Sequence, residues 1–351
     1  MLKRTYLLFV MQLFVAIAYS QIPSGYYNNA EGKSNSSLKT ALYLIIKDHV
    51  QRTYTNLWTD FQTTDKRTDG KVWDMYSSTS NFTFVTDQDT GSGGTVEGDK
   101  YNREHSFPNS WFGGVQSSPM YTDLFHMYPA DKLVNNKRGN YPFGETAGEI
   151  YQSNSGFSKL GNSTFPGYSG VVFEPADEYK GDFARSYLYM ATCYEDKIAS
   201  WNYTGTVMLN QTSYPCFQNW AINLLLKWHR QDPVSEKEIN RNNAVYTIQK
   251  NRNPFIDNPL FVEYIWGDRM DQIYTGIDAG AEVTAVRAWS SEKGVMITSP
   301  EKAVVCVYRI DGTLIASEQI QDQGELSFAE HGMFLVKVLT DKCKLTFKIS
   351  K

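Results

Sequence analysis

The chain has 351 residues, of which 41% are hydrophobic and 21% charged, which is enough for about two packed domains and excludes wholesale disorder. Lys and Arg total 34 against 38 Asp and Glu, a net charge of −4, so no whole-chain basic excess marks a nucleic-acid partner, and positive charge for one must be gathered locally. Four cysteines exclude a disulfide-dense scaffold.

From the N-terminus, Lys3 and Arg4 precede an apolar run from Tyr6 to Ala18, broken only by Gln12 and followed by Ala18-Tyr19-Ser20. This is the grammar of a signal peptide over residues 1–20, cleaved after Ser20. The run is shorter than the ~20 residues of a membrane span, and no stable span is expected elsewhere. Ser37-Leu38 opens a helix in which Leu38, Ala41, Leu42, Ile45, Ile46 and His49 recur at three- and four-residue steps. Short strands are expected at Lys71–Tyr76 and Phe82–Val85, then a Gly-rich turn at Thr90–Gly94. Helical patterns return at Asp182–Tyr194, Phe217–Arg230 and Ser235–Lys250, and Pro254 and Pro259 break the run before Leu260–Trp266. Residues 269–282 read as a linker. Beyond it the grammar becomes all-β, with short strands at Val283–Ala288, Gly294–Ile297, Ala303–Arg309, Thr313–Gln319, Gly324–Ser327, Gly332–Val338 and Lys344–Ile349. Asp311-Gly312 is a hairpin signal. The fold class is therefore α+β over residues 22–268, followed by a small β-sandwich over 283–351. Cys193 with Cys216 and Cys306 with Cys343 are the preferred disulfide pairs, each within one domain; free buried thiols are the alternative.

The chemistry concentrates between Tyr101 and Asn140. Glu104 and His105 adjoin, and Asp123, His126, Asn135 and Arg138 follow. Hydrolysing a phosphodiester requires a base for water, which an imidazole supplies near neutral pH. It also requires a hard cation for the developing charge, and Mg²⁺ often takes few protein oxygens beside water and substrate phosphate. Glu104 and the Asn135 amide oxygen form such a minimal set. Arg138 either grips a phosphate bidentately or pairs with a carboxylate. Because side chains alternate across a strand, Glu104 and His105 can share a site only at a strand end, bulge or loop.

These residues resemble the endonuclease I family of secreted, non-specific bacterial nucleases, within the ββα-metal (His-Me finger) group. The resemblance rests on YNREHSFPNSWFG at 101–113, DLFHMYPADKLVNNKRGN at 123–140, YKGDFARSYLYMATCY at 179–194, and the stretch 234–266 with RNNAVYTIQKNRNPFIDNP. It implies a two-stranded ribbon followed by a helix, with His105 as general base, and Glu104 and Asn135 holding one divalent ion, Mg²⁺ or alternatively Mn²⁺ or Ca²⁺. Asn135 is expected at the start of that helix. It further implies hydrolysis of DNA, and often RNA, to 5′-phosphate ends by a monomeric secreted enzyme. Two departures stand out: positions 90–102 lack the cysteines of many relatives, and Cys193 replaces a common Arg.

Other residues carry two readings. His126 orients a catalytic group or packs structurally, and Asp123 supports a catalytic group or caps a turn. Arg185 is expected to pair with Glu238, while Arg241 serves packing or DNA contact. The stretch Lys227–Arg252 has a net +3 from its Lys, Arg, Asp and Glu residues and suits backbone tracking, or is simply a solvated helix face.

The tail resembles the C-terminal sorting domain of the type IX secretion system, on VCVYRIDG at 305–312, GMFLVKV at 332–338 and the basic end at Lys351. That resemblance implies the secretion machinery as partner and a secreted or cell-surface bacterial protein. A secreted nuclease is the leading reading; an inactive nucleic-acid-binding or adhesion protein on the same fold is the alternative.

Overall fold

A computed structural model describes residues 22–203, 206–276, 286–291, 293–340 and 344–351. The expected signal peptide, most of the linker's second half, Val283 and Cys343 lie outside the described residues.

The first helix, α1 (Asn35–Ile46), buries Leu38, Ala41, Leu42 and Ile46, the stripe expected from their spacing. It starts where the Ser34 amide donates to Ser37 Oγ at 3.2 Å. Helix α2 (Leu57–Thr64) follows. No strand forms at 71–76 or 82–85. Met75, Tyr76 and Phe82 are buried there, but the backbone bonds are irregular. Val72 N donates to Phe82 O, and the Asp74 carboxylate takes the Tyr76 amide at 2.8 Å in place of a ladder bond.

A two-stranded antiparallel ribbon comes next. β1 (Tyr101–His105) pairs with β2 (Met127–Asp131) in unbroken register, from Tyr101 opposite Asp131 to His105 opposite Met127. Helix α3 (Lys132–Arg138) leaves β2 directly, because Asp131 caps it by accepting the Val134 amide at 3.0 Å. The approach to β1 passes Gly94 at φ +72°, where a Cβ would meet the Lys132 side chain at 2.4 Å. A small sheet of β3 (Tyr151–Gln152), β4 (Lys159–Asn162) and β5 (Val171–Glu174) follows.

The remaining helices follow the small sheet. They are α4 (Lys180–Cys193), α5 (Glu195–Ile198), α6 (Asn219–Gln231), α7 (Glu236–Gln249), α8 (Pro254–Asp257) and α9 (Phe261–Ile265). Every residue of α4 is buried, which makes it the core's central element. Helix α7 begins on a reciprocal cap between Ser235 and Glu238 and ends at Lys250 with φ 67°. Cys193 and Cys216 are buried free thiols, so the expected bond between them is absent; Cys193 Sγ instead lies 3.7 Å from Ile46 O.

The C-terminal segment is a β-structure with its own hydrophobic core: β6 (Arg287–Ser290), β7 (Gly294–Arg309), β8 (Leu314–Ser327), β9 (Met333–Leu339) and β10 (Lys344–Ser350). Two pairs of expected short strands merge into the long hairpin β7–β8, which bends where the register slips between Ser299 and Ala303. Its turn is Asp311-Gly312, with Gly312 at φ +88°. Both halves of the bent hairpin contribute to one shared core, Val295 and Ile297 from one and Val305 and Val307 from the other. Among the described residues no helix is long and apolar enough to cross a membrane.

Candidate active site at the end of the ribbon

Strand alternation separates the candidate residues by face. Asn102 and Glu104 lie toward α3, and Tyr101, Arg103 and His105 lie toward the aromatic residues of the segment 54–58. His105 is the last residue of β1, so the Glu104–His105 pair lies at a strand end as expected, with the two side chains on opposite faces.

Glu104 is buried, and its Oε1 accepts from the Tyr76 hydroxyl and from Arg138 Nη1, each at 2.8 Å. Oε1 thus takes both a hydroxyl and a cation. Burial raises the carboxyl pKa, opposed chiefly by the Arg138 charge. Asn135 sits one turn into α3 rather than at its start, because the helix begins immediately after β2. Its Nδ2 donates to Asn102 Oδ1 at 2.8 Å, which turns the amide oxygen into the free end. The Asn135 side chain is also close enough to help hold Glu104 ionised. A carboxylate oxygen and an amide oxygen on one face are hard donors that fit a Mg²⁺-like ion keeping most of its other ligands.

His105 is enclosed by aromatic rings, with Tyr121 edge-on at 4.5 Å and Tyr54 stacked at 6.1 Å between centroids. Its Nε2 lies 2.9 Å from the main-chain oxygen of Tyr121. A carbonyl only accepts, so Nε2 carries the hydrogen, and in the neutral ring Nδ1 is left as acceptor. Burial, aided by His126, lowers the imidazole pKa to about 3, so the ring is neutral at physiological pH.

Arg138 does not present its fork outward. It is 1% exposed and bonds Glu104, His105 O at 2.9 Å and Ser106 O at 2.5 Å. The phosphate-clamp expectation is corrected: Arg138 positions Glu104 and the strand end. His126 is fully buried and bonds Met120 O at 2.6 Å, a packing role. Asp123 accepts from Gln249, Tyr189 and Tyr194 at 2.7–3.0 Å and joins distant segments of the core. Arg185 grips Glu238 through two bonds, as expected. Arg241 is buried against Asp65 and Met127 O, which excludes DNA contact.

The basic stretch is also corrected. Lys227, Arg230, Lys237, Arg241 and Arg252 each face a carboxylate, respectively Glu145, Glu263, Asp182, Asp65 and Asp257. Its cations are largely consumed within the fold.

Sequence reasoning missed Asn102, Tyr76 and the Tyr121 carbonyl. Asn102 carried a usable signal, since it lies two residues before Glu104 and so shares its face. A second group, His49, Asp123 and Cys193, has ligand-type atoms within 4.8 Å of one another and could hold an ion. Asp123 already has hydrogen-bond partners there.

The Endonuclease I family profile matches residues 34–260. The chain is similar to an extracellular ribonuclease of Bacillus amyloliquefaciens, with 35% identity over 247 residues covering 69% of this chain and 78% of the relative. An extracellular ribonuclease of Bacillus subtilis (strain 168) is 34% identical over 244 residues, with the same coverage. A periplasmic deoxyribonuclease of Aeromonas hydrophila is 28% identical over 143 residues, 41% of this chain and 50% of the relative.

Proposed function

The chain belongs to the endonuclease I family, and on that premise we propose that it is an exported, metal-dependent nuclease that cuts both DNA and RNA without sequence specificity. Relatives named for each substrate support the breadth. Their extracellular and periplasmic names, with the signal-like residues 1–20, support export.

The observation that carries the mechanism is the bond between His105 Nε2 and Tyr121 O. It holds the ring in the tautomer whose Nδ1 accepts a proton from the attacking water. The water oxygen then bonds phosphorus, the bond to the 3′ oxygen breaks, and that oxygen takes a proton from solvent, leaving a 5′-phosphate and a 3′-hydroxyl. A divalent ion, Mg²⁺ for preference, supplies stabilisation of charge on the phosphorane and the leaving oxygen. Glu104 Oε2 and Asn135 Oδ1 would hold it; Arg138 and Tyr76 aim the former and Asn102 the latter. The β-domain at 283–351 would serve secretion rather than catalysis.

The test uses DNA and RNA oligonucleotides of matched sequence, with product ends identified by mass spectrometry. The expected products are 5′-phosphates and 3′-hydroxyls from both. Cyclic 2′,3′-phosphates from RNA would mean that the ribose hydroxyl, not water, attacks.

A further inference from the structure

Most arginines near the site are spoken for: Arg52, Arg138, Arg185, Arg241 and Arg252 each sit against a carboxylate. Arg103 differs. Among the described residues no carboxylate lies within ion-pair distance of it. Its guanidinium carbon is 3.5 Å from the Tyr54 ring centroid and 4.3 Å from that of Trp58. Nη1 donates to Tyr54 O at 2.7 Å, and Nε is buried without a partner. Asp89, whose charge reaches Arg103, is bonded to Lys132 at 2.8 Å.

Its location matters as much as its lack of an anion. Arg103 and His105 are two residues apart on one face of β1, about 7 Å along the strand. Tyr54 contacts both, as a stack under the guanidinium and as a neighbour of the imidazole. Ring contacts orient a cation and offset part of its desolvation, but they do not neutralise it. Between His105 and Asn135 the chain's single Lys or Arg is Lys132, which Asp89 holds. A guanidinium held by two rings beside the base is suited to a phosphate oxygen.

We propose that Arg103, held by Tyr54 and Trp58, binds a backbone phosphate of the substrate next to His105 and so sets the strand's position against the base. The inference rests on the nuclease reading above. It makes Arg103 a substrate-binding residue, with Tyr54 and Trp58 positioning it.

The full chain and its Arg103→Gln and Arg103→Met variants are compared on plasmid DNA with Mg²⁺ over a range of salt concentrations. The variants should lose about ten- to a hundred-fold in kcat/KM at low salt. The slope of log kcat/KM against log salt should shrink by about one phosphate's worth. A packing role would lower the melting temperature and leave that slope unchanged, which would overturn the proposal. A second measurement needs no variant. In EDTA, an arginine-selective dicarbonyl should label Arg103, and a single-stranded oligonucleotide should protect it. Absence of labelling, or labelling without protection, would overturn the proposal. If the wild-type chain itself does not cut, the nuclease reading fails; if it cuts and the slope is unmoved in the variants, only this inference fails.

Discussion

Arg138 Nη1 stands 2.8 Å from Glu104 Oε1, with both side chains buried at the junction of β1 and α3. The pair joins the end of the ribbon to the helix that carries Asn135. Tyr76 donates to the same oxygen, so Oε1 takes both the cation and the hydroxyl.

Removing the cation leaves a buried charge uncompensated. Arg138→Met should cost about 3–5 kcal/mol of stability, read from urea unfolding. A small stability change with a large rise in KM would instead restore the phosphate-clamp role.

Asn102 Oδ1 accepts from Asn135 Nδ2 at 2.8 Å. Asn102→Ala should weaken Mg²⁺ activation by about 10–100-fold in apparent metal affinity, with the melting temperature nearly unchanged. A metal titration of the cleavage rate measures it. An unchanged titration curve would remove Asn102 from the site.

Burial, with the Arg185 charge beside it, takes His229 from its ordinary pKa near 6.5 down to about 4. Below 6.5 the unfolded chain binds a proton that the folded chain refuses, so this contribution to stability is lost as pH falls from about 6.5 toward 4. The amount is on the order of 2–3 kcal/mol by pH 4. His229→Gln should flatten the fall in urea midpoint between pH 7 and pH 5. An equal fall in both proteins would contradict the assignment.

Cys193 and Cys216 are buried, and burial raises both thiol pKa values. Thiol reagents should leave them unmodified in the folded protein, and reductant should not shift the melting temperature. A drop of several degrees with reductant would reveal a bond between them.

Much of this was legible in the sequence. The α1 stripe, the ends of α7 and the Asp311-Gly312 turn follow from local periodicity and capping, which short windows contain. Glu104, His105 and Asn135 were picked out by order and company; the ribbon and helix place Glu104 toward α3 and His105 on the opposite face at the strand end. What stayed hidden depends on partners far along the chain. The segment 71–76 buries Val72, Met75 and Tyr76, but its backbone bonds are irregular and the Tyr76 amide is taken by Asp74. The basic stretch at 227–252 has its carboxylates at Asp65, Glu145 and Asp182, invisible to a count within the window. Arg138 could not be told from a phosphate clamp until its acceptors were in place.

In the proposed mechanism His105, with a divalent ion, drives phosphodiester hydrolysis. The most direct test incubates the full chain with supercoiled plasmid and Mg²⁺, beside EDTA and a His105→Ala variant whose folding is checked by circular dichroism. Nicking by the wild type is expected, with none in EDTA and a loss of at least about 100-fold in the variant. Nicking that persists in His105→Ala would contradict the base assignment, and no cutting by the folded wild type with any common divalent ion would point to a binding protein on this fold.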